Sequence, residues 1–378
     1  MKLLKYAALS IVIVIGALVV VVGGWFYSCQ GRMRDCYASY RSFTRGADTM
    51  SQRRLNSMHG GFTASASSVA FPIPLAGNGD GILVMDHDKD RPKLISTAGY
   101  THWSPRFSPD GERLIFFRMA AGGRERELLS CEVSMWRCAI LFRAPDAMMS
   151  AVDIGNGVVL FSMNTRRTND PEDRRRFDVF AIRKGRDPVR LTNYEAYELH
   201  SLSVGGGKLV FGAAGRNFST TGACQPDNHR DCDKSEIFAL DFDPSMLAVN
   251  DGAGPLKPLF SVTGSSVNPI ASSDGRRIAF LNTNRAGGTW RYNFAFGDLD
   301  GHVDGGLPVR GIYFSPGAFA GDELFVNELF EDRYRIYRLD LKLKRVGQLE
   351  IKHSPEEIAT FEPITLSIEG PSTRAAGL

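Results

Sequence analysis

The sequence predicts an all-β fold, a six-bladed β-propeller of four-stranded antiparallel blades, preceded by one N-terminal transmembrane helix. Three observations predict it. Glycine turns between short apolar strands recur mostly every 46 to 50 residues, a period that fits four short strands per unit. A second hairpin follows each of these turns. The chain also begins with a long segment that carries no charge.

The composition is that of a globular protein with a sizeable core. The 378 residues are 43% hydrophobic and 23% charged, and the formal net charge is +3. Lysine and arginine are spread along the chain instead of forming one basic block. A nucleic-acid partner is therefore not indicated.

The N-terminal segment, residues 1–27, predicts an uncleaved membrane anchor. The 22 residues from Tyr6 to Tyr27 carry no charge; as a helix they would reach about 33 Å, enough to cross a hydrocarbon core of about 30 Å. The segment ends in Trp25, Phe26 and Tyr27, which suit an aromatic belt at the membrane interface. A cleaved signal peptide is the alternative, but its apolar core has only about 7–15 residues. We expect residues 6–27 to cross a bacterial inner membrane once and residues 28–61 to form a polar linker.

The cysteines decide on which side of the membrane we expect the main body to lie. Six cysteines fall into three close pairs, which are Cys29 and Cys36, Cys131 and Cys138, and Cys224 and Cys232. Local pairs of this kind are typical of an oxidising compartment, and none has the spacing of a zinc site. Four arginines directly after the anchor favour a cytoplasmic body instead. We give the cysteines more weight, so the sequence predicts three disulfides and a periplasmic propeller.

The repeat is clearest in two stretches. They are "WSPRFSPDGERLIFF", from Trp103 to Phe117, and "VNPIASSDGRRIAFLN", from Val267 to Asn282. Weaker copies follow elsewhere, and the five turn glycines are Gly111, Gly157, Gly207, Gly275 and Gly321. A second hairpin ending in an Asp-rich turn follows most of them. Each unit is therefore expected to form two hairpins, which make one four-stranded blade.

The chain ends supply the sixth blade. Residues 70–97 contain the outer strands of a unit without a convincing first strand, and "FEPITLSIEG", Phe361 to Gly370, has the pattern of a first strand with nothing after it. We expect the C-terminal strand to complete this blade, which would close the ring and remove its open edges. The propeller is then residues 62–370, and residues 371–378 form a tail.

The "SPDG" and "SSDG" turns, each followed by a basic residue and "IFF" or "IAF", resemble the repeat of TolB-like and prolyl-oligopeptidase-type propellers. The resemblance covers about residues 62–370. It implies the propeller fold and a periplasmic platform that binds other proteins. TolB carries an α/β domain before its propeller, and residues 28–61 are too few for one.

The repeated turn residues are interpreted as structural. Aspartate in such a turn bonds its own backbone, and glycine supplies the left-handed position. A catalytic carboxylate would occur once or as a pair, whereas these residues recur. They are Pro109, Asp110 and Gly111 in one turn and Asp274 and Gly275 in another.

Candidate binding residues lie at the starts of first strands and in one insertion. His102 lies at a strand start, and the matching positions hold Leu199 and His200 in one copy and Asn268 in another, which predicts a polar ring of His102, His200 and Asn268 at the mouth of the central channel. A bond to the neighbouring blade is the other interpretation of His102. The insertion between Cys224 and Cys232 contains Asp227, His229, Asp231 and Asp233. Asp227 and His229 are binding candidates, and Asp227, Asp231 and Asp233 are weak metal candidates, with calcium as the ion.

No catalytic motif is present. The sequence has neither a G-x-S-x-G elbow nor an H-E-x-x-H helix. It therefore predicts a non-catalytic interaction platform in the cell envelope, with protein partners and no cofactor. The alternative is a propeller enzyme or small-ligand binder, for a sugar or lactone, which uses the channel mouth with a divalent metal ion.

Overall fold

The computed structural model of the chain describes residues 61–75, 80–87, 92–145, 148–165, 176–196, 198–215, 235–245, 247–250, 256–262, 264–286, 289–308, 314–330, 333–340, 345–350, 361 and 363–369. These residues form 26 strands and no helix. None of them belongs to a helix long and apolar enough to cross a membrane. The predicted anchor, most of the linker and the tail lie outside the described residues.

The strands form six antiparallel blades, numbered in chain order. Blade 1 contains β1 (Thr63–Ala64), β2 (Ser68–Pro74), β3 (Asp80–Asp86) and β4 (Lys93–Ile95). Blade 2 contains β5 (Tyr100–Phe107), β6 (Arg113–Ala120), β7 (Arg126–Glu132) and β8 (Arg137–Ala144). Blade 3 contains β9 (Met148–Asp153), β10 (Val158–Asn164), β11 (Phe177–Arg183) and β12 (Val189–Arg190).

The second half of the chain repeats the arrangement. Blade 4 contains β13 (Glu198–Gly205), β14 (Lys208–Ala214), β15 (Glu236–Asp243) and β16 (Ala248–Asn250). Blade 5 contains β17 (Ser265–Ala271), β18 (Ile278–Ala286), β19 (Thr289–Gly297) and β20 (Val303–Pro308). Blade 6 contains β21 (Phe314–Ala320), β22 (Glu323–Phe330), β23 (Arg333–Asp340) and β24 (Arg345–Glu350). The predicted count of six four-stranded blades is confirmed.

The core lies between the blades. Six buried apolar clusters each join two neighbouring blades, and the last joins blade 6 to blade 1 through Phe325 and Phe62. The second strand of a blade is packed on both faces, so its sequence is a nearly continuous apolar run. In blade 2 this run is Leu114 to Phe117, and all four side chains are fully buried.

The first strands form the ring that surrounds the central channel. Each contacts the first strands of the two neighbouring blades, and short β1 contacts both β5 and β21. Hydroxyl side chains also link the ring, because Thr63 Oγ1 accepts a bond from the Phe107 amide at 3.1 Å and Ser203 Oγ accepts one from the Ala271 amide at 2.9 Å. The ring is therefore closed by side-chain packing and by bonds between blades.

The prediction that the C-terminal strand completes blade 1 is wrong. Strand β25 (Pro363–Ile364) pairs in parallel with β4, and β26 (Ser367–Glu369) pairs in parallel with β8. The C-terminal segment, which we call the strap (residues 361–369), therefore runs along the outer edges of blades 1 and 2.

Two features of blade 1 explain why its inner edge is not used. Strand β1 already occupies part of that edge. Pro72 and Pro74 lie two residues apart on β2, so the same edge of the strand lacks both amide donors. Proline is found at sheet edges because it cannot donate to a ladder. Strand β3 pairs with one edge of β2 along its whole length. We therefore place the edge without these amide donors on the opposite side of β2, which faces the inside of the propeller.

Candidate functional site

A repeated β-bulge lies in the wall of the channel. The register of the first strand shifts after Trp103 in blade 2, after His200 in blade 4 and after Val267 in blade 5. The residue after each shift has a left-handed backbone, with φ of 52° at Ser104, 55° at Ser201 and 55° at Asn268. Short polar side chains tolerate this conformation better than branched ones. The bulge therefore places a short polar side chain at the same position of the first strand in three blades.

These registers correct the sequence alignment of the candidate channel residues. Asn268 corresponds to Ser104 and Ser201, whereas His102 corresponds to Leu199, which is one of its two sequence matches in blade 4. His102 and Asn268 are therefore not equivalent positions, because His102 lies two residues before the bulge. Of the three predicted residues, the structure brings His200 and Asn268 together and places His102 elsewhere.

The polar residues of blades 4 and 5 form one hydrogen-bond chain. Ser201 Oγ donates to Asn268 Oδ1 at 3.1 Å, across the boundary between the blades. His200 Nδ1 lies 3.3 Å from Ser201 Oγ, and its Nε2 lies 3.1 Å from Ser235 Oγ. Because the Ser201 proton is directed to Asn268, His200 donates through Nδ1 and accepts from Ser235 through Nε2. Burial lowers the pKa of His200, which favours the neutral imidazole.

Sequence reasoning missed Ser104 and Ser201. Ser104 and Asn268 each precede a proline that lies six residues before a turn glycine, and Ser201 precedes leucine in the weaker copy. This shared small polar residue was the available signal.

His102 bonds to the neighbouring blade. It is fully buried, and its Nδ1 lies 3.0 Å from the carbonyl oxygen of Asp80 in blade 1. The pKa of His102 is lowered to about 4, chiefly because the side chain is buried; the bond to Asp80 opposes this lowering, and the nearby Arg118 cation adds to it. A carbonyl only accepts, so Nδ1 carries the proton, and Nε2 is a buried acceptor without a partner. His102 thus supports the boundary between blades 1 and 2.

A buried ionic row continues across blade 2 from His102. Arg118 and Glu127 face each other on neighbouring strands with 2.5 Å between Nε and Oε2, and Arg143 Nη2 lies 2.8 Å from Glu127 Oε1. The ring of Tyr100 covers the Arg118 guanidinium at 4.5 Å. Arg118 and Glu127 are both buried, so their charges depend on each other for compensation.

Arg106 is a charged residue on β5, one of the first strands that surround the channel. It follows the bulge of β5, and its Nη1 donates to the carbonyl oxygen of Phe62, just before β1, at 2.5 Å. Burial lowers the pKa of Arg106 to about 10. Among the residues that the structure describes, no carboxylate pairs with it.

The repeated turns have the predicted structural role. All five turn glycines have φ between 59° and 75°. Asp110 Oδ1 accepts from Ser108 Oγ at 2.5 Å and from the Glu112 amide at 3.0 Å, and these bonds lower its pKa. Asp274 makes the same pair of bonds in blade 5, which lower its pKa in the same way. Both carboxylates are satisfied within their own turns.

The predicted disulfide between Cys131 and Cys138 is confirmed. The two residues are direct partners on β7 and β8, with 4.0 Å between their Cα atoms. The other four predicted disulfide cysteines lie outside the described residues, as do Asp227, His229, Asp231 and Asp233. Nothing in the described part of the chain bears on those candidates.

One group of metal-type side chains occurs among the described residues, on the outer turn of blade 5. Ligand atoms of Asp298, Asp300 and His302 lie within 4.8 Å of one another. The Asp298 Oδ1 atom, however, accepts from the amides of Asp300 and His302, as in an ordinary Asx turn. We assign this group to the turn.

No protein-family profile matches the chain. No curated protein sequence matches it either.

Solved structures match the chain by fold. TolB from Acinetobacter baumannii is 16% identical with a TM-score of 0.53, over 84% of this chain and 68% of that one. Kuenenia stuttgartiensis hydrazine synthase is 12% identical with a TM-score of 0.55, over 78% of this chain and 46% of that one. A putative TolB from Agrobacterium tumefaciens is 12% identical with a TM-score of 0.45, over 69% of this chain and 85% of that one.

At these identities the comparisons establish architecture alone, and this chain spans less than half of the hydrazine synthase chain. The blade count and the repeated Asp-Gly turns agree with that architecture. By fold, the chain is a six-bladed β-propeller, and it is similar in architecture to TolB.

Proposed function

We propose that the chain is a membrane-anchored periplasmic propeller that binds envelope proteins at one end of its channel, without catalysis. The observation that carries the proposal is the uneven length of the connections at the two ends of the blades. Loops on one face of a rigid scaffold are the usual site of recognition.

The strand bounds show this unevenness. The end at which the first strands finish has short turns, such as residues 108–112 between β5 and β6. The end at which the first strands begin has the long connections, residues 165–176 after β10 and 215–235 after β14. We call the latter end the loop face and the former the turn face. Partner binding is assigned to the loop face.

The hydrogen bonds of the channel support binding over catalysis. Ser201 donates its proton to an amide oxygen, so His200 does not act on it as a base. Ser235 does donate to His200, but Ser235 is only 3% exposed, so a substrate has no access to its hydroxyl. A nucleophile needs both a base and access to substrate. The polar groups of the channel instead offer hydrogen bonds to a docked surface.

Site-specific photocrosslinking in the native envelope tests the proposal. A crosslinking residue would replace Ala98 or Arg124, which are exposed on the loop face, and the matched controls are Glu112 and Arg276, which are exposed on the turn face. We expect a discrete crosslinked protein from the loop-face positions only. Equal crosslinking from both faces, or none from the loop face, would contradict the proposal.

The periplasmic location has its own test. Cysteines of the intact protein should react with a thiol reagent only after reduction, because an oxidising compartment keeps close pairs joined. The disulfide at Cys131 and Cys138 supports this expectation. Thiols that react without reduction would place the propeller in the cytoplasm.

The second candidate, a small-ligand binder or enzyme acting on a sugar or lactone, is favoured by the same polar chain at His200 and Asn268. Sugars are bound through such arrays of donors and acceptors. Screening the purified protein against sugars and lactones by calorimetry separates the two. A saturable heat that Asn268→Ala abolishes would favour this second function.

A further inference from the structure

Arg106 breaks the repeat of the propeller. The registers align it with Ala151 in blade 3, Ser203 in blade 4, Ile270 in blade 5 and Ala318 in blade 6. These counterparts are small or apolar. A residue needed to build the blade would be expected to recur, as the turn glycines do. The cation at this position is specific to the boundary between blades 1 and 2.

Its guanidinium is only partly used by the protein. Nη1 donates to the Phe62 carbonyl at 2.5 Å and lies 3.4 Å from the carbonyl of Pro105. A guanidinium has five N–H donors, and the Nε and Nη2 donors have no protein acceptor among the described residues. Those two atoms are also absent from the fully buried unpaired atoms of the described chain, so solvent reaches them. One edge of the guanidinium is therefore available.

The other arginines of this region are compensated. Arg113 forms a two-pronged pair with Asp153, at 2.9 and 3.1 Å, and Arg118 pairs with the buried Glu127. Among the described residues Arg106 bonds only to backbone carbonyls; it is half-buried, and burial lowers its pKa to about 10. An uncompensated charge in such surroundings is costly unless something neutralises it.

Space beside the guanidinium is kept open by Gly61. A Cβ atom at this position would stand 3.4 Å from Arg106 Nη1 and 3.7 Å from Ser104 Oγ. Gly61 has a φ of 100°, which other residues rarely adopt. Gly61 and Ser104 thus border the Nη1 side of the guanidinium, which leaves the Nε and Nη2 edge as the side available to a ligand.

We propose that Arg106, on the first strand of blade 2, forms an oxyanion-binding site through its Nε and Nη2 edge, which takes a carboxylate or a phosphate group. The free edge of a guanidinium matches two oxygens of such a group in a parallel pair of hydrogen bonds. The inference does not depend on the proposed protein partner, since either a small anion or an acidic group of a larger ligand has this chemistry.

Thermal unfolding of the purified full chain tests the site. Sodium phosphate and sodium acetate are titrated separately against sodium chloride at equal ionic strength and pH. We expect phosphate or acetate to raise Tm by about 2–4 °C at ten times its Kd. A shift with phosphate alone identifies a phosphate-bearing ligand, and a shift with acetate alone identifies a carboxylate.

Three variants make the test specific. Arg106→Gln should abolish the anion-dependent shift, and Arg186→Gln, which removes a charge from an exposed turn, should keep it. Arg106→Lys keeps the positive charge but loses the planar guanidinium that binds two oxygens at once, so it should raise the Kd of the anion roughly tenfold. If the glutamine variant does not fold, the weaker anion binding of the lysine variant tests the site instead. The inference is overturned if neither anion shifts the wild type, or if the lysine and glutamine variants both respond as the wild type does.

Discussion

Replacing His102 with asparagine is expected to remove a step from the pH dependence of stability. The imidazole is fully buried between blades 1 and 2, and it bonds the Asp80 carbonyl through Nδ1 at 3.0 Å. The amide nitrogen of asparagine can occupy the Nδ1 position and keep this bond, but it does not titrate. The variant therefore isolates the protonation of one side chain.

The direction and size of the step follow from the pKa of His102. Burial, with help from the Arg118 cation, lowers this pKa from 6.5 to about 4 in the folded chain. Below pH 6.5 the unfolded chain takes up a proton that the folded chain does not bind, so stability is lost as the pH falls from 6.5 towards 4. At 1.36 kcal/mol per pKa unit, the loss from this residue is about 3 kcal/mol.

Urea unfolding followed by tryptophan fluorescence at several pH values between 7.5 and 4 measures the step. The free energy of unfolding of the wild type should fall more steeply than that of His102→Asn, and the gap between them should change by about 3 kcal/mol. His302→Asn, whose side chain is 75% exposed, controls for the loss of an imidazole. Parallel curves for the wild type and His102→Asn would show that the folded chain does not exclude the proton.

Three further outcomes are expected. Replacing Cys131 and Cys138 together with alanine should lower the free energy of unfolding by about 2–3 kcal/mol in urea titrations, since the eight-residue loop is no longer closed; unchanged stability would refute this. Gly157→Ala should lower the free energy of unfolding by roughly 1–2 kcal/mol, because alanine is strained in the left-handed backbone. Gly275→Ala should lower it by about 1–3 kcal/mol more, because its Cβ would also lie within 2.7 Å of the backbone of a neighbouring blade. Equal losses of stability in the two variants would contradict this packing. Deleting residues 361–378 should leave a folded, less stable propeller by circular dichroism, because β1 closes the ring without the strap; complete unfolding would show that the strap is the closure.

The hairpins and turns were predictable because their causes are local. An aspartate at position 110 bonds an amide two residues away, and Gly111 adopts the left-handed backbone that the turn requires. The disulfide at Cys131 and Cys138 closes a hairpin whose strands are adjacent in sequence. Interactions of this range can be read from a few neighbouring letters.

The channel could be predicted only in part. The sequence indicated polar residues at the starts of first strands, and His200 and Asn268 do belong to one hydrogen-bond chain. It mismatched His102 with Asn268, whereas the registers, like the shared residue before proline, align Asn268 with Ser104. Sequence spacing alone does not reveal on which side of a bulge a residue lies.

By itself, the sequence determined the hairpins, the turns between strands and the four-stranded unit that repeats, because these depend on short-range periodicity and turn chemistry. Only the tertiary structure decided where the strap pairs and which charges remain uncompensated. Those features depend on residues far apart in the chain, as when Glu369 reaches Lys184 of blade 3 at 2.7 Å. The lack of a carboxylate partner for Arg106 among the described residues also depends on distant residues, because it becomes visible only when the side chains around Arg106 are known.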